Sequence, residues 1–348
     1  MNGIRSKDSV QALSAHQRAS RFAVAPMIDW TDTHCRFFHR QLSAHALLYT
    51  EMVVADAIIH GPRERLLSFN AAEHPVALQL GGSDPEKLSR AVRIASDYGY
   101  DEFNLNVGCP SDRVQSGTFG ACLMRTPDLV GECLVAMREA AGETPVTVKC
   151  RIGVDDQDPE TALDALADAA VEAGIGTIWV HARKAWLQGL SPKENRDIPP
   201  LDYARVARLK ARLPEIFVGL NGGLKTLDEA EAAMGEGGFD GVMLGRAAYQ
   251  TPDCLTEVDS RFYGAERPDS FDYAALIETM MAYASGHMEA GGRLNHVTRH
   301  MVGLFSGQPG ARRWRQILSE GASRRDATPD LIREAFEAVD LSGDREAA

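Results

Sequence analysis

The sequence predicts an α/β fold, a (β/α)8 TIM barrel followed by a small all-helical C-terminal domain, on three observations. Eight short runs rich in Val, Ile, Leu and aromatic residues recur between residues 21 and 250. Most runs are apolar nearly throughout, as in strands of a parallel sheet that is covered on both faces. Helical patterns fill most gaps between the runs, and the strand pattern stops after about residue 265. The predicted strands are 21–27, 46–52, 75–82, 102–108, 145–153, 177–183, 216–223 and 241–247.

The helical segments carry typical start signals. Proline stands at the start of the helices predicted from Pro85, over 127–141 and over 159–173, where its fixed backbone angle is favoured. Three more helices are predicted at 273–287, 294–305 and 311–319. A doubly wound sheet is the competing fold, but it places G-x-G-x-x-G after its first strand, and here that strand ends in Ala25-Pro26-Met27. We therefore expect a flexible extension at 1–20, a barrel at 21–262 and a helical domain at 263–348 with a frayed tail.

Composition narrows the class of protein. The 348 residues are 44% hydrophobic and 25% charged, the balance of an ordinary globular chain. No apolar run approaches the roughly 18 residues needed to span a bilayer, and the N-terminus lacks a signal-peptide core, so a cytoplasmic protein without a membrane partner is expected. Six cysteines form no C-x-x-C pair, which predicts free thiols. The net charge of −12 argues against a whole-surface nucleic-acid binder, although arginines between 291 and 325 outnumber acids.

Chemistry in such a barrel gathers at the carboxyl ends of the strands. The side chains and glycines expected there are rich in amides and cations and poor in carboxylates. They suit a ligand with carbonyls, ring nitrogens and a phosphate, and they predict no metal site, since hard cations need clustered carboxylates. The set is Gln79, Asn104, Asn106, Cys109, Lys149, Arg151, His181, Arg183, Lys184, Asn221, Gly222, Gly223, Gly245 and Arg246.

Four of these residues predict a phosphate site. Gly222, Gly223 and Gly245 let backbone N–H groups approach a ligand, and Arg246 adds a planar bidentate donor. The loops after strands seven and eight are the usual phosphate site of this fold. The alternative is that Gly222-Gly223 is only a tight turn. Lys149 can stabilise negative charge on a ligand if its side chain points into the barrel mouth. Alternatively, it is a lysine at the margin of the mouth. His181 is either a ligand-binding residue or a structural one.

Cys109 stands in Asn-Val-Gly-Cys-Pro, just past the fourth strand. A thiol at this position can donate a proton to a substrate carbon, and the thiolate that remains can take up a proton from solvent. An unperturbed thiol has a pKa of about 8.5 and is mostly protonated at neutral pH, as an acid needs to be. The alternative is an inert cysteine, which is the interpretation for the other five.

These motifs together resemble the tRNA-dihydrouridine synthase family across nearly all of residues 21–330. The stretch around Cys109 is the most specific, and HARKAWLQGLSPKENR is similar to the A-type bacterial branch, which modifies positions 20 and 20a of the D-loop. The matching segments are APMIDWTD (25–32), LQLGG (78–82), NLNVGCPSDRVQSGTFGACLM (104–124), VKCRIG (148–153), HARKAWLQGLSPKENRDIPPL (181–201), GLNGG (219–223) and GVMLGRAAYQTP (241–252).

The resemblance implies an FMN-containing barrel with a helical tRNA-binding domain. NADPH would reduce FMN, hydride would pass from the flavin N5 to C6 of uridine, and Cys109 would protonate C5. Asn106 would sit beside the target base, and Arg183, Lys184 and Arg299 would contact tRNA. No protein partner is implied, so we expect a monomer. The implied FMN contacts are Pro26, Met27, Ile28, Gln79, Lys149, His181, Asn221, Gly222, Gly223, Gly245 and Arg246.

Two rival functions stay open at this point. The first is a flavin enzyme acting on free pyrimidines, which would share the barrel and the phosphate site. The second is a tRNA-binding protein whose barrel does no reduction. The basic helical region favours a polyanionic substrate over the first rival, and the set of Cys109, Lys149, His181 and the glycine loops argues against the second.

Overall fold

The computed structural model describes residues 13–111, 119–267 and 269–341. The strands are β1 (Phe22–Val24), β2 (Leu47–Tyr49), β3 (Val53–Val54), β4 (Val76–Gly81), β5 (Glu102–Val107), β6 (Val146–Arg151), β7 (Thr177–His181), β8 (Phe217–Asn221) and β9 (Gly241–Leu244). The helices are α1 (Ala15–Ala19), α2 (Thr33–Leu42), α3 (Ala55–His60), α4 (Arg63–Leu67), α5 (Pro85–Ser96), α6 (Pro127–Ala141), α7 (Pro159–Glu172), α8 (Tyr203–Arg212), α9 (Leu227–Gly237), α10 (Arg246–Gln250), α11 (Val258–Tyr263), α12 (Tyr273–Glu289), α13 (Leu294–Thr298), α14 (Ala311–Gln316) and α15 (Asp330–Glu337).

The strands form a closed parallel barrel. Their order is β2-β1-β9-β8-β7-β6-β5-β4-β3, and a further pairing of β2 with β4 closes the ring. The strand β3, which has two residues, pairs with β4. Each of the eight predicted runs carries one strand of the ring, so the predicted (β/α)8 barrel is confirmed.

The chain divides into two compact units, which we describe separately. The first contains the barrel and consists of residues 1–26, 47–69 and 74–244. The second is mainly helical and consists of residues 27–46, 70–73 and 245–348. The domain boundary near residue 262 stays a prediction.

The amino end of the barrel in the first unit is occupied by polar groups as well as by apolar ones. Glu102 on β5 is fully buried and accepts hydrogen bonds from the hydroxyls of Tyr49 and Thr147. Its other carboxylate oxygen lies 2.7 Å from Nε2 of His16 on α1. Residues 15–19 of the predicted flexible extension therefore form a helix anchored to the barrel, whereas residues 1–12 lie outside the described part of the chain.

The second unit is built on aromatic packing between short helices. Phe305 packs edge-on against Trp314, and the indole N–H of Trp314 donates to the carbonyl of Met301. The helix predicted over 294–305 ends at Thr298, so its second half is wrong. The following turns use bonds from residue i to i−3, such as Met301 N to Thr298 O at 3.0 Å. Gly303 lies so close to the Gln250 carbonyl that a Cβ would collide with it.

Among the described residues, no helix combines the length and the hydropathy that crossing a bilayer requires.

Candidate active site

Asn106 fixes the backbone of the segment that carries Cys109. Its Oδ1 accepts hydrogen bonds from the amides of Gly108 at 3.0 Å and Cys109 at 2.9 Å. Because this oxygen is used as an acceptor, the Nδ2 of Asn106 must face the other way, and it donates to Oε1 of Gln79 at 2.7 Å. Cys109 and its thiol are thereby held just beyond the carboxyl end of β5, at the barrel mouth.

The hydrogen-bond chain continues from Gln79 through the barrel interior. Nε2 of Gln79 donates to Oδ1 of Asn104 at 2.9 Å, and Nδ2 of Asn104 donates to Oγ1 of Thr147 at 2.7 Å. Thr147 in turn donates to Glu102 at 2.5 Å. The buried carboxylate is thus the terminal acceptor, and each amide in the chain has only one orientation that satisfies both of its neighbours.

The barrel mouth concentrates positive charge, part of which has no partner among the residues that the structure describes. Burial, and after it the charge of Arg151, lowers the pKa of Lys149 to about 8. Burial also lowers the pKa of His181 well below its usual range, with Arg151 and Lys149 acting in the same direction. Neither Lys149 nor the His181 ring has a side-chain hydrogen bond or ion pair with another described residue. A neutral imidazole and an ammonium group are therefore both available to a ligand.

Glycine is required at both positions after β8. Gly222 has φ of 109° and Gly223 has φ of 77°, a region that L side chains rarely adopt. A Cβ at Gly222 would also collide with the imidazole of His181, whose ring therefore packs against the bare backbone. The side chain of Asn221 is fixed by a 2.7 Å bond from its Nδ2 to the Met243 carbonyl. The predicted Asn221, Gly222, Gly223 and His181 thus meet at one edge of the mouth.

The six thiols differ in their surroundings. Cys109 is half-buried, and its Sγ lies 3.5 Å from the Ser111 hydroxyl. Cys150 is buried in the barrel wall, and burial raises its pKa to about 12. Burial likewise raises the pKa of Cys133 and of Cys254 to about 12. These three thiols are poorly suited to exchange protons with a substrate at neutral pH.

Arg151 is a connecting residue that the sequence analysis placed at a strand end without giving it a role. Its Nε donates to the Gly108 carbonyl at 2.9 Å, and its Nη1 donates to the carbonyls of Lys184 at 3.0 Å and Asn195 at 2.9 Å. One guanidinium therefore joins the Cys109 segment to the loop after β7. The sequence shows Arg151 as a second basic residue two positions after Lys149. The backbone carbonyls that accept its hydrogen bonds are distant along the chain, so no local pattern marks them.

Pro26 belongs to the first unit and lies two residues after the end of β1, whereas several other predicted contacts belong to the second unit. There, Met27 donates its amide to the Thr31 hydroxyl at 3.0 Å, and Ile28 is 50% exposed. Gly245 precedes Arg246, the first residue of α10. Residues 112–118 of the long segment around Cys109 lie outside the described residues.

Arg299 is exposed but already engaged. Its guanidinium forms an ion pair with Asp32 of the same unit. Although burial opposes it, a hydrogen bond and the charge of His300 hold the pKa of Asp32 well below its usual range, and Arg299 contributes. Arg313 on α14 is exposed as well, and among the described residues its guanidinium bonds the Gln316 side chain, at 3.2 Å, and no carboxylate. Of these two arginines, Arg313 is the one without a carboxylate partner.

Three imidazoles meet in the second unit, from α2, α12 and α13. One ring nitrogen from each of His34, His287 and His296 lies within 4.8 Å of the other two. Burial and the neighbouring histidines lower the pKa of His34 to about 4, so its ring is neutral at pH 7. Neutral imidazoles are ligands for Zn²⁺ and similar ions, so this cluster is where the described residues can hold such a metal. The sequence predicts no metal site, because these three histidines form no local ligand pattern.

Comparison with known proteins places the chain among close relatives. The family model described as dihydrouridine synthase matches residues 23–340. A tRNA-dihydrouridine(20/20a) synthase of Xanthomonas campestris pv. campestris is 52% identical over 335 residues, which cover 96% of this chain and 98% of the relative. Proteins of the same name are 52% identical in Shewanella oneidensis, covering 91% of this chain and 93% of the relative, and 51% identical in Escherichia coli K12, covering 92% of each.

A solved structure of an old yellow enzyme homologue from Zymomonas mobilis superimposes with a TM-score of 0.50 at 13% sequence identity. The match covers 73% of this chain and 91% of that structure. At this identity the likeness concerns the barrel fold alone.

Proposed function

We propose, from the premise that this chain belongs to the dihydrouridine synthase family and is an oxidoreductase, that it reduces uridine to 5,6-dihydrouridine in tRNA. The targets are positions 20 and 20a of the D-loop, the positions in the names of its relatives. FMN, reduced by NADPH, supplies the hydride that C6 of the uridine receives. The enzyme acts in the cytoplasm as a monomer.

The residues at the barrel mouth fit FMN. Lys149 is a cation without a partner among the described residues, and desolvation makes its charge costly until an anionic group lies beside it. Gly222 and Gly223 hold a positive-φ backbone at the end of β8 that residues with a Cβ rarely adopt, and the loop after this strand is where this fold usually binds a phosphate. We assign the cofactor contacts to Pro26, Met27, Ile28, Gln79, Lys149, His181, Asn221, Gly222, Gly223, Gly245 and Arg246.

Cys109 is the proton donor in this proposal. Reduction of the uridine C5–C6 bond needs a hydride on C6 and a proton on C5, and the Cys109 Sγ–H supplies that proton. The thiolate left behind takes a proton from solvent. Asn106 holds the amide of Cys109 at 2.9 Å and so keeps the thiol in one place, and it lies beside the target base.

The tRNA is held by cations around the mouth and on the helical region at 263–348. The target uridine must leave its stack to reach the thiol, so the remaining RNA is retained through its phosphates. We assign this role to Arg183 and Lys184 in the barrel unit and to Arg299 in the helical unit. Because Arg299 already pairs with Asp32, it would contact a phosphate while keeping that carboxylate on its other side.

The single observation that carries the proposal is the hydrogen-bond chain that fixes Cys109 at the same mouth as Lys149 and His181. Its test is to map dihydrouridine in tRNA from a strain that lacks this enzyme, complemented with the wild-type chain or with Cys109→Ala. We expect the wild type to restore dihydrouridine at positions 20 and 20a and Cys109→Ala to fail. Cys254→Ala, which alters a partly buried cysteine of the helical unit, is the matched control and should restore it fully.

Two outcomes would overturn the proposal. Full restoration by Cys109→Ala would remove the thiol from the reaction. Purified wild-type chain that reduces free uracil or orotate, but leaves unmodified tRNA unchanged, would assign the enzyme to free pyrimidines instead.

A further inference from the structure

Trp186, in the loop after β7, is a large aromatic side chain held in solvent. It is 41% exposed. Tryptophan usually buries most of its surface, and exposed apolar groups on a folded protein mark sites of interaction. Two further apolar side chains of the same loop, Ile198 and Leu201, are 60% and 37% exposed. The loop therefore carries three exposed apolar side chains, one of which is aromatic.

The exposure of Trp186 is built into the loop rather than a result of looseness. Asn195 is fully buried, and its Oδ1 accepts from the Trp186 amide at 2.7 Å while its Nδ2 donates to the Trp186 carbonyl at 2.8 Å. The next amide, of Leu187, donates to Asp155 at 2.8 Å. Both peptide groups that flank Trp186 are thus fixed by side chains, and the backbone cannot easily turn the ring inward.

The ring lies on the side of the barrel where the reaction takes place. Loops after parallel strands leave at one end of the barrel, so the loop after β7 shares its end with Cys109. Arg151 makes this link direct, because it bonds the Gly108 carbonyl and the Lys184 carbonyl with one guanidinium. The residue before Cys109 and the residue two positions before Trp186 are thereby joined.

The surroundings of the ring are cationic. The Nζ of Lys184 lies 5.5 Å from the centroid of the Trp186 ring. The ammonium group of Lys184 has no hydrogen bond or ion pair with another described residue, so its charge is available. An aromatic face next to a free ammonium group fits a nucleobase and its phosphate, since single-stranded RNA is bound by base stacking together with backbone charge.

We propose that Trp186 is a stacking platform for a base of the tRNA that neighbours the target uridine, with Lys184 beside the adjoining phosphate. The inference rests on the proposed function. When the uridine leaves the stack, its neighbour loses a stacking partner, and the indole face replaces it. The platform lowers the cost of extrusion and fixes the position of the uridine before Cys109.

The test compares Trp186→Leu with Trp186→Phe in the full-length holoenzyme. Leucine keeps the apolar bulk but removes the ring, whereas phenylalanine keeps a ring. Stacking on one aromatic side chain is worth about 1–3 kcal/mol, so Trp186→Leu should lower kcat/KM for unmodified tRNA and weaken tRNA affinity in filter binding by about 5- to 150-fold. Trp186→Phe should stay within about three-fold of the wild type. Flavin reduction by NADPH without tRNA should be unchanged in both.

Ile198→Ala is the matched control, because it removes an exposed apolar side chain from the same loop without touching the ring. We expect wild-type tRNA affinity from it. Trp186→Leu with wild-type affinity, or Ile198→Ala with an equal loss, would overturn the platform. Wild-type enzyme that forms no dihydrouridine in tRNA would instead refute the proposed function, so the two failures are distinguishable.

Discussion

The barrel unit and the helical unit hold their functional side chains in different ways. In the barrel, the amides of Gln79, Asn104 and Asn106 form one continuous hydrogen-bond chain that ends at the buried carboxylate of Glu102. In the helical unit, Arg313 projects into solvent from a six-residue helix, and Arg299 is restrained by an ion pair with Asp32. The first arrangement fixes each group in one orientation, and the second leaves side chains able to adjust.

This difference matches what each step of the reaction requires. Proton and hydride transfer depend on geometry within a fraction of an ångström, which a chain of satisfied buried hydrogen bonds provides. Binding a phosphate backbone depends mainly on charge, and charge tolerates movement. Substitutions in the barrel mouth should therefore abolish a step, and substitutions in the helical unit should weaken binding by degrees.

The largest effect is expected from Gly222→Ala. Its Cβ would collide with the His181 imidazole, and the residue would have to keep φ of 109°. We expect the purified variant to lose flavin absorbance and all NADPH oxidation. Gly189→Ala is the control, since Gly189 has φ of 81° but open space around a Cβ. If Gly222→Ala kept its flavin absorbance and its NADPH oxidation, the residues of the barrel mouth would adjust as freely as the side chains of the helical unit.

The next effect concerns the charge of Lys149. With its pKa at about 8, the side chain is protonated below that pH and loses its charge as the pH rises through it. The rate of flavin reduction by NADPH should therefore fall as the pH rises through the pKa of Lys149, which an adjacent anionic group of the bound flavin would raise above about 8, and Lys149→Met should be slow and lack that inflection. Lys210→Met, which alters a lysine paired with Asp240, should keep it.

Unfolding cannot account for such a loss, because the sign of the stability effect is opposite. The unfolded lysine binds its proton up to a pH of about 10.4, and the folded one releases it near 8. Between these values the unfolded state holds more protons, so this residue makes the apo protein more stable as the pH rises. If flavin reduction by Lys149→Met kept the wild-type pH profile, the assignment of Lys149 to the cofactor site would be refuted.

The smallest effect is expected in the helical unit, from Arg313→Glu. We propose that the exposed guanidinium of Arg313 contacts one phosphate as well, so that its loss should weaken tRNA affinity by about five- to ten-fold at moderate salt and lower the slope of log affinity against log salt by about one. Arg90→Glu, the same charge change on the exposed side of α5, should change neither. NADPH oxidation should be unaffected by both. Equal affinities for the two variants would move the RNA surface away from α14.

The sequence was sufficient for the barrel and for most of its mouth because both follow from local patterns. Eight apolar runs and the rule that chemistry lies at strand ends were enough to single out Lys149, His181 and Gly222. Choosing Cys109 among six cysteines required the family resemblance. Arg151 was not given a role, because its acceptors are backbone carbonyls of Gly108, Lys184 and Asn195, and no local pattern marks them.

The helical unit was predicted less well. Propensity predicts one helix from Leu294 to Phe305, but the close approach of Gly303 to the Gln250 carbonyl favours turns after Thr298. Tertiary contacts of this kind override local preference. The ion pair of Arg299 with Asp32 joins residues far apart in the chain, so a charge count over 291–325 treated an engaged arginine as a free one.

The central claim is that the thiol fixed by Asn106 supplies the proton. It is tested most directly by a single-turnover experiment at saturating unmodified tRNA with pre-reduced enzyme, comparing Cys109→Ala with the wild type. We expect dihydrouridine formation to slow by about 100- to 10,000-fold, the usual contribution of a general acid, while flavin reduction by NADPH keeps its wild-type rate. A single-turnover rate for Cys109→Ala equal to that of the wild type would contradict the account.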